Sequence, residues 1–172
     1  MINAFFKRIE NVPIIKNSPR VSLFWVTLLR IMLGLLFLTT WASNLSKDYY
    51  TPDGLEGFLR GKLNEDSLGF YRTFIEEVII PIKEVFAPFQ LVSEGLLGLA
   101  LLIGLFTRPA CLAGAFFIIN TYLISIGTPE WPWSYFTVLS VLGVVFFTNA
   151  GRVLGVDVWI VNRYGESKWG LW

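Results

Sequence analysis

The sequence contains no histidine and a single cysteine, Cys111. Without histidine there is no imidazole to ligate haem iron or copper, and no side chain whose ordinary pKa suits a general base near neutrality. One thiol can close neither an internal disulfide nor a CxxC redox pair. Charge is scarce as well: Asp, Glu, Lys and Arg make up 16% of the 172 residues, against roughly 25% in an ordinary soluble domain. The net charge of +1 gives no electrostatic reason to expect a nucleic-acid partner. No phosphate-cradling glycine loop, metal-ligand cluster or nucleophile–base pair is present. Redox or acid–base chemistry therefore falls to carboxylates, arginine, aromatic groups, or a cofactor shared with a partner.

What the chain does have is apolar surface. Hydrophobic residues reach 54%, mean hydropathy is +0.58, and seven tryptophans and six tyrosines suit a protein with two membrane–water interfaces. A spanning helix needs about 20 mostly apolar residues. Four stretches meet or approach that length, at about 21–45, 88–106, 109–126 and 133–149. The first is read as a span, being too long and too far from the start for the apolar core of a cleavable signal. The expected fold is all-α: an integral membrane four-helix bundle forming a single transmembrane domain over 1–172. Thr107-Arg-Pro109 joins the second and third spans and allows only an antiparallel hairpin, while Pro88 and Pro109 suit first helical turns.

The segment at about 47–87 is too long for a bare connection. Thr51-Pro-Asp-Gly54 reads as a turn, followed by a short amphipathic stretch, Leu55–Arg60. Tyr71, Phe74, Ile75, Val78 and Ile79 then recur at helical spacing, and Pro81 is expected to break or kink that helix. Amphipathic helices that lie along the membrane surface or cap the bundle are predicted here, the alternative being a small solvent-facing subdomain. The segment carries five basic and eight acidic side chains, and the opposite side carries eight Lys and Arg. The positive-inside rule then places both termini in the cytoplasm and the cap outside, in the cell membrane.

Two charges lie within the apolar stretches, Arg30 in the first and Glu94 in the second. Ionisable residues in spans usually face the bundle interior, and these two are expected to approach each other beneath the cap, as a functional site or as a fixed pair locking two helices. Asn120, inside the third span, is either a ligand contact or interhelical glue. Aromatics crowd the cap side, among them Trp41, Tyr49, Tyr50, Phe89, Tyr122, Trp131, Trp133 and Tyr135. They form either an interfacial belt or the walls of a slot for a flat ligand; Trp41, Phe89, Tyr122, Trp131 and Trp133 are the candidate quinone or lipid contacts. No metal is expected.

Three stretches carry a resemblance: Arg30-Ile-Met-Leu-Gly34; Glu94-Gly-Leu-Leu-Gly98 running into Gly104-Leu-Phe-Thr-Arg108; and Asn149-Ala-Gly-Arg152 followed by Leu154-Gly-Val-Asp157. With them the sequence resembles the DoxX/DoxD family of small four-helix membrane proteins, and Pro52-Asp-Gly-Leu-Glu56 looks more like the DoxD branch. The resemblance implies the membrane subunit of a thiosulfate:quinone oxidoreductase working with a DoxA-like subunit. Electrons from a reduced sulfur compound would reach quinone within the bundle, with Arg30, Glu94 and Asn120 as polar contacts. The family supplies no agreed catalytic residues, so those remain unknown. The alternative is a non-catalytic accessory subunit of a larger respiratory or photosynthetic membrane complex; a small transporter is disfavoured by the lack of broken spans and paired repeats.

Overall fold

Apolar residues surround the first long helix on every side. The computed structural model describes residues 24–167, and α1, Phe24–Ser46, is its first element. Thr27, Arg30, Leu33, Gly34 and Phe37 form its buried stripe, at the three- and four-residue spacing of one helical face. Trp25, Leu28, Met32, Leu35 and Leu36 point away from the protein and are exposed. A helix apolar all round, yet buried along one stripe only, needs an apolar medium on its other faces. The same holds for Phe89, Val92, Leu96 and Leu99 further along the chain.

Among the described residues all regular structure is helical. After α1 come α2, Pro52–Lys62, and α3, Gly69–Phe74. A π-helical turn, Ile75–Ile79, and a 3-10 turn, Ile80–Ile82, lead without a loop into α4, Lys83–Ile103. Then follow α5, Thr107–Ile124, α6, Trp133–Phe147, a 3-10 turn, Ala150–Arg152, and α7, Val156–Tyr164. The helices α1, α4, α5 and α6 close a four-membered ring: α1 packs on α4 and α6, and α5 on α4 and α6. Leu33, Phe37, Leu97, Leu101, Cys111, Ile118, Leu142 and Val145 fill its centre.

Among the described residues, three helical stretches are long and apolar enough to cross a membrane: Phe24–Ser46, Gly69–Ile103 and Thr107–Ile124. The fourth apolar helix, Trp133–Phe147, has 15 residues, or roughly 22 Å at 1.5 Å per residue.

Several expected boundaries are corrected. Residues 21–23 lie outside the described residues, and α1 ends at Ser46. The second span does not begin at Pro88: helix continues back to Gly69, and Pro88 sits inside α4. Pro88 removes one N–H donor from the helix interior without breaking it; upstream, a π turn precedes Pro81 and a 3-10 turn contains it. Pro81 therefore changes the winding without ending the helix. The other end of α4 stops at Ile103, because Gly104 is left-handed at φ 70° and caps it. The third span begins at Thr107 and ends at Ile124. The helix expected to make a fourth span stops at Phe147, just before Asn149 turns left-handed at φ 49°.

At one end, here the cap end, Thr51 accepts a bond from Gly54 N and starts α2. Leu55, Leu59, Tyr71, Ile75, Ile79 and Ala87 form a second small core beneath α2 and α3. The 126–130 loop is tied over it: Asn64 Nδ2 donates to Ile126 O at 3.1 Å, and Lys62 pairs with Glu130. The opposite end, the turn end, holds the α4–α5 turn and the 150–157 segment.

Candidate functional site

The interior holds two charged centres, and they lie at opposite ends. The register of α1 against α4 decides this. An added Cβ on Gly34 would stand 2.5 Å from Leu102 N, one on Gly98 2.8 Å from the Leu38 side chain, and one on Gly95 3.2 Å from the Trp41 ring. The two helices thus run antiparallel and close, with 34 facing 102 and 41 facing 95. Arg30 therefore falls beside the α4–α5 turn and Glu94 beside the last turns of α1, about 18 Å apart along the axis at 1.5 Å per residue. The expected approach of Arg30 to Glu94 is overturned. The reason is that α4 extends back beyond Pro88, which moves Glu94 to the middle of a longer helix while its level against α1 is set by the glycine contacts.

Arg30, at 1% exposure, is enclosed at the turn end. Its Nη2 donates to Leu154 O at 2.6 Å, and the carboxylate of Asp157 attracts it electrostatically. Nη1 occupies space that only glycine leaves open: a Cβ on Gly104 would fall 1.4 Å from it, and one on Gly155 2.4 Å. Asp157, also buried, accepts from Phe106 N at 2.7 Å and from Thr107 N at 2.9 Å. Those are orphan donors at the start of α5, where a carboxylate also meets the positive end of the helix dipole. Asp157 N returns a bond to Gly104 O at 2.9 Å. Arg30 and Asp157 together fasten the segment after α6 to the α4–α5 turn.

Glu94 is equally buried, at 1% exposure, but it has no cation. No ion pair to Glu94 occurs among the described residues. Oε2 accepts from the Tyr50 hydroxyl at 2.6 Å, and Asn44 Nδ2 donates to the same hydroxyl at 3.5 Å. Glu94 Oε1 is buried and has no hydrogen-bond partner among the described residues. Burial, and then the bond to Glu94, raises the Tyr50 phenol above its ordinary value, so Tyr50 is a donor at any physiological pH. A carboxylic group in a low-dielectric interior with one acceptor oxygen unmet is costly unless a donor or a proton satisfies it. Trp41 packs on the same stretch of α4, its Nε1 donating to Leu91 O at 2.9 Å and its ring lying against Gly95.

The other candidates lie elsewhere. Asn120 is bonded at both ends: Nδ2 donates to Phe116 O at 2.8 Å, and Oδ1 accepts from the Tyr71 hydroxyl at 3.0 Å. It joins α5 to α3. Phe89, Trp131 and Trp133 are more than half exposed and stand on the outer faces. Tyr122 is half-buried and packs on Tyr135 and Phe136. Of the five aromatics, Trp41 packs on the stretch of α4 that carries Glu94, against Leu91 and Gly95. Among the described residues no group of three or more His, Cys, Asp or Glu is placed to hold a metal ion.

Tyr50 and Asp157 enter the sequence reading only as one of the cap-side aromatics and as the last residue of the Leu154–Asp157 motif, not as site candidates. Tyr50 was one aromatic among many at the end of a span, and only the Thr51-capped turn after it fixes its return onto α4. Asp157 stands in the short Leu-Gly-Val-Asp run, where an acid just inside an amphipathic helix reads as an ordinary first-turn acid.

A helical chain with apolar outer faces and buried charges is a membrane protein of the small-bundle class. The DoxX family model matches residues 25–127, more than half of the chain, and the match contains α1 to α5 with both charged residues. The protein belongs to the DoxX family. No curated protein and no solved structure matches it.

Proposed function

We propose that this DoxX-family protein is the membrane subunit of a quinone-linked redox assembly, and that the quinone head is received at Glu94 beneath the cap. The observation that carries this reading is the Glu94 Oε1 atom, fully buried and without a partner, at the end of the bundle where α1 leaves the apolar layer. A hydroquinone hydroxyl is a donor of the kind that atom lacks, and the Trp41 ring, packed on neighbouring Gly95, is a flat surface suited to an aromatic head.

When bound, the quinone supplies two-electron, two-proton redox chemistry. The chain's own residues accept a hydrogen bond at Glu94 Oε1, hold the carboxyl in place through Tyr50, and exclude water with Tyr50 and the second core under α2. Arg30 and Asn120, bonded elsewhere, take no part at the head. The single buried thiol, Cys111, leaves sulfur chemistry to a partner subunit of the DoxA kind, with a reduced sulfur compound as electron donor.

The same reading places the chain in the cell membrane with four crossings. Trp133–Phe147 makes the fourth, lengthened by the segment to Arg152. The termini and the turn end are cytoplasmic and the acidic cap is outside, as the charge asymmetry favours.

The test is quinone reduction by the native assembly carrying Glu94→Gln. Glutamine keeps the volume and the bond to Tyr50 but cannot take up a proton. The expected result is a loss of about 100-fold or more in turnover with the assembly intact. Full turnover in an intact assembly would overturn the reading and leave a non-catalytic accessory role.

A further inference from the structure

We infer that Tyr50 is the proton relay of the Glu94 site, passing protons between the buried carboxyl and the water above the cap end of α1. The inference deepens the quinone reading and rests on it for the use made of the proton.

Glu94 is sealed from solvent, and its polar contacts toward the cap are the Tyr50 hydroxyl at 2.6 Å and the Asn44 side-chain amide, of which only the hydroxyl can pass a proton. Tyr50 itself is 6% exposed. Its oxygen also accepts from Asn44 at 3.5 Å, and Asn44 is only half-buried, in the last turn of α1. Tyr50 Oη thus bonds both Glu94 Oε2 and Asn44 Nδ2, and the Asn44 amide also interacts with the carboxyl.

The transfer balances without any oxidant or reductant. A proton held on Oε1 departs to an acceptor in the site. The Tyr50 O–H bond breaks as its proton moves onto Oε2, and the phenol oxygen regains a proton from cap-side water. One proton enters and one leaves. Because burial and the Glu94 bond both disfavour a free phenolate, the gain and loss at Tyr50 are coupled. Asn44 is a positioning residue that donates to the phenol oxygen while it is between protons. Run in reverse, the same steps carry a proton outward from a hydroquinone.

The experiment is infrared-monitored hydrogen–deuterium exchange on the full chain in lipid nanodiscs, on wild type and Tyr50→Phe. The protonated-carboxyl band of Glu94 is identified by its absence in Glu94→Gln. The relay predicts that the band shifts promptly in deuterated buffer in the wild type, and about a hundredfold more slowly in Tyr50→Phe. A chain with fluorotyrosine at position 50 keeps the ring, the hydroxyl and the fold while changing the acidity of the phenol, and should exchange at an altered rate. Equal rates in all three proteins, or no band that Glu94→Gln removes, would overturn the relay. If exchange depends on Tyr50 while quinone reduction ignores Glu94, the relay stands and the quinone reading falls. If quinone reduction needs Glu94 but exchange ignores Tyr50, the relay falls alone.

Discussion

A methyl group at position 104 has nowhere to go. Gly104 is left-handed at φ 70°, and a Cβ would lie 1.4 Å from Arg30 Nη1, so Gly104→Ala must both strain the backbone and displace a buried guanidinium from Leu154 O. The expected outcome is a loss of about 2 kcal/mol or more. Gly57 is the control: it lies in the middle of α2, exposed, with nothing within 4 Å of an added Cβ. Gly57→Ala should stabilise by up to about 1 kcal/mol. Thermal unfolding in one detergent reads both, and opposite shifts in Tm are the predicted result. At this scale the sequence made Arg30 and Glu94 legible as buried charges, because each stands alone in an apolar run. It did not make their partners legible. Arg30 is held by a backbone carbonyl 124 positions away, which no side-chain pattern encodes, and Glu94 by a tyrosine indistinguishable in sequence from a belt residue.

Among the elements, α2 is the one held by charge. Lys83, at the start of α4, bonds Asp53 at 2.9 Å and Glu56 at 2.7 Å, and Glu56 also takes Arg60. The bond to Lys83, then that to Arg60, lowers the Glu56 carboxyl below its ordinary 4.5. A depressed folded-state value means that the clamp contributes fully above 4.5 and is lost as pH falls through the lowered value. Amide exchange of α2 should therefore accelerate relative to α1 on acidification below pH 4.5, and Lys83→Met should abolish that step. An unchanged ratio of α2 to α1 exchange would contradict the clamp. Elements as such were largely legible, since apolar length and period determine helices in a bilayer. Boundaries were less so. Pro88 looked like a start because proline suits a first turn, yet α4 runs through it; the winding changes around Pro81 depend on packing of Ile75 and Ile79 into the cap core. The stop at Ile103 was readable in principle from Gly104, a common left-handed cap.

For the molecule as a whole, the distribution of apolar surface is the governing fact. The outer faces of α1, α4, α5 and α6 carry large exposed hydrophobics, while Arg30, Glu94 and Asp157 are inside, which is the arrangement a lipid solvent selects. The proposed orientation, with the cap outside, rests on the charge asymmetry between the two ends. The Asp53 side chain is 96% exposed and Cys111 is buried, so Asp53→Cys offers a labelling site above a low background. A membrane-impermeant maleimide added to intact cells should label it, and labelling confined to lysed cells would reverse the orientation.

The account's central claim is that a quinone head meets the buried carboxyl at the cap end of the α1–α4 pair. Photolabelling with an azidoquinone, followed by peptide mapping, addresses it most directly. The predicted result is labelling of the Trp41–Tyr50 and Leu91–Gly98 stretches, strongly reduced in Glu94→Gln and competed by unlabelled quinone. Labelling that falls on the lipid-facing side chains of α5 and α6, or that is indifferent to Glu94→Gln, would contradict it.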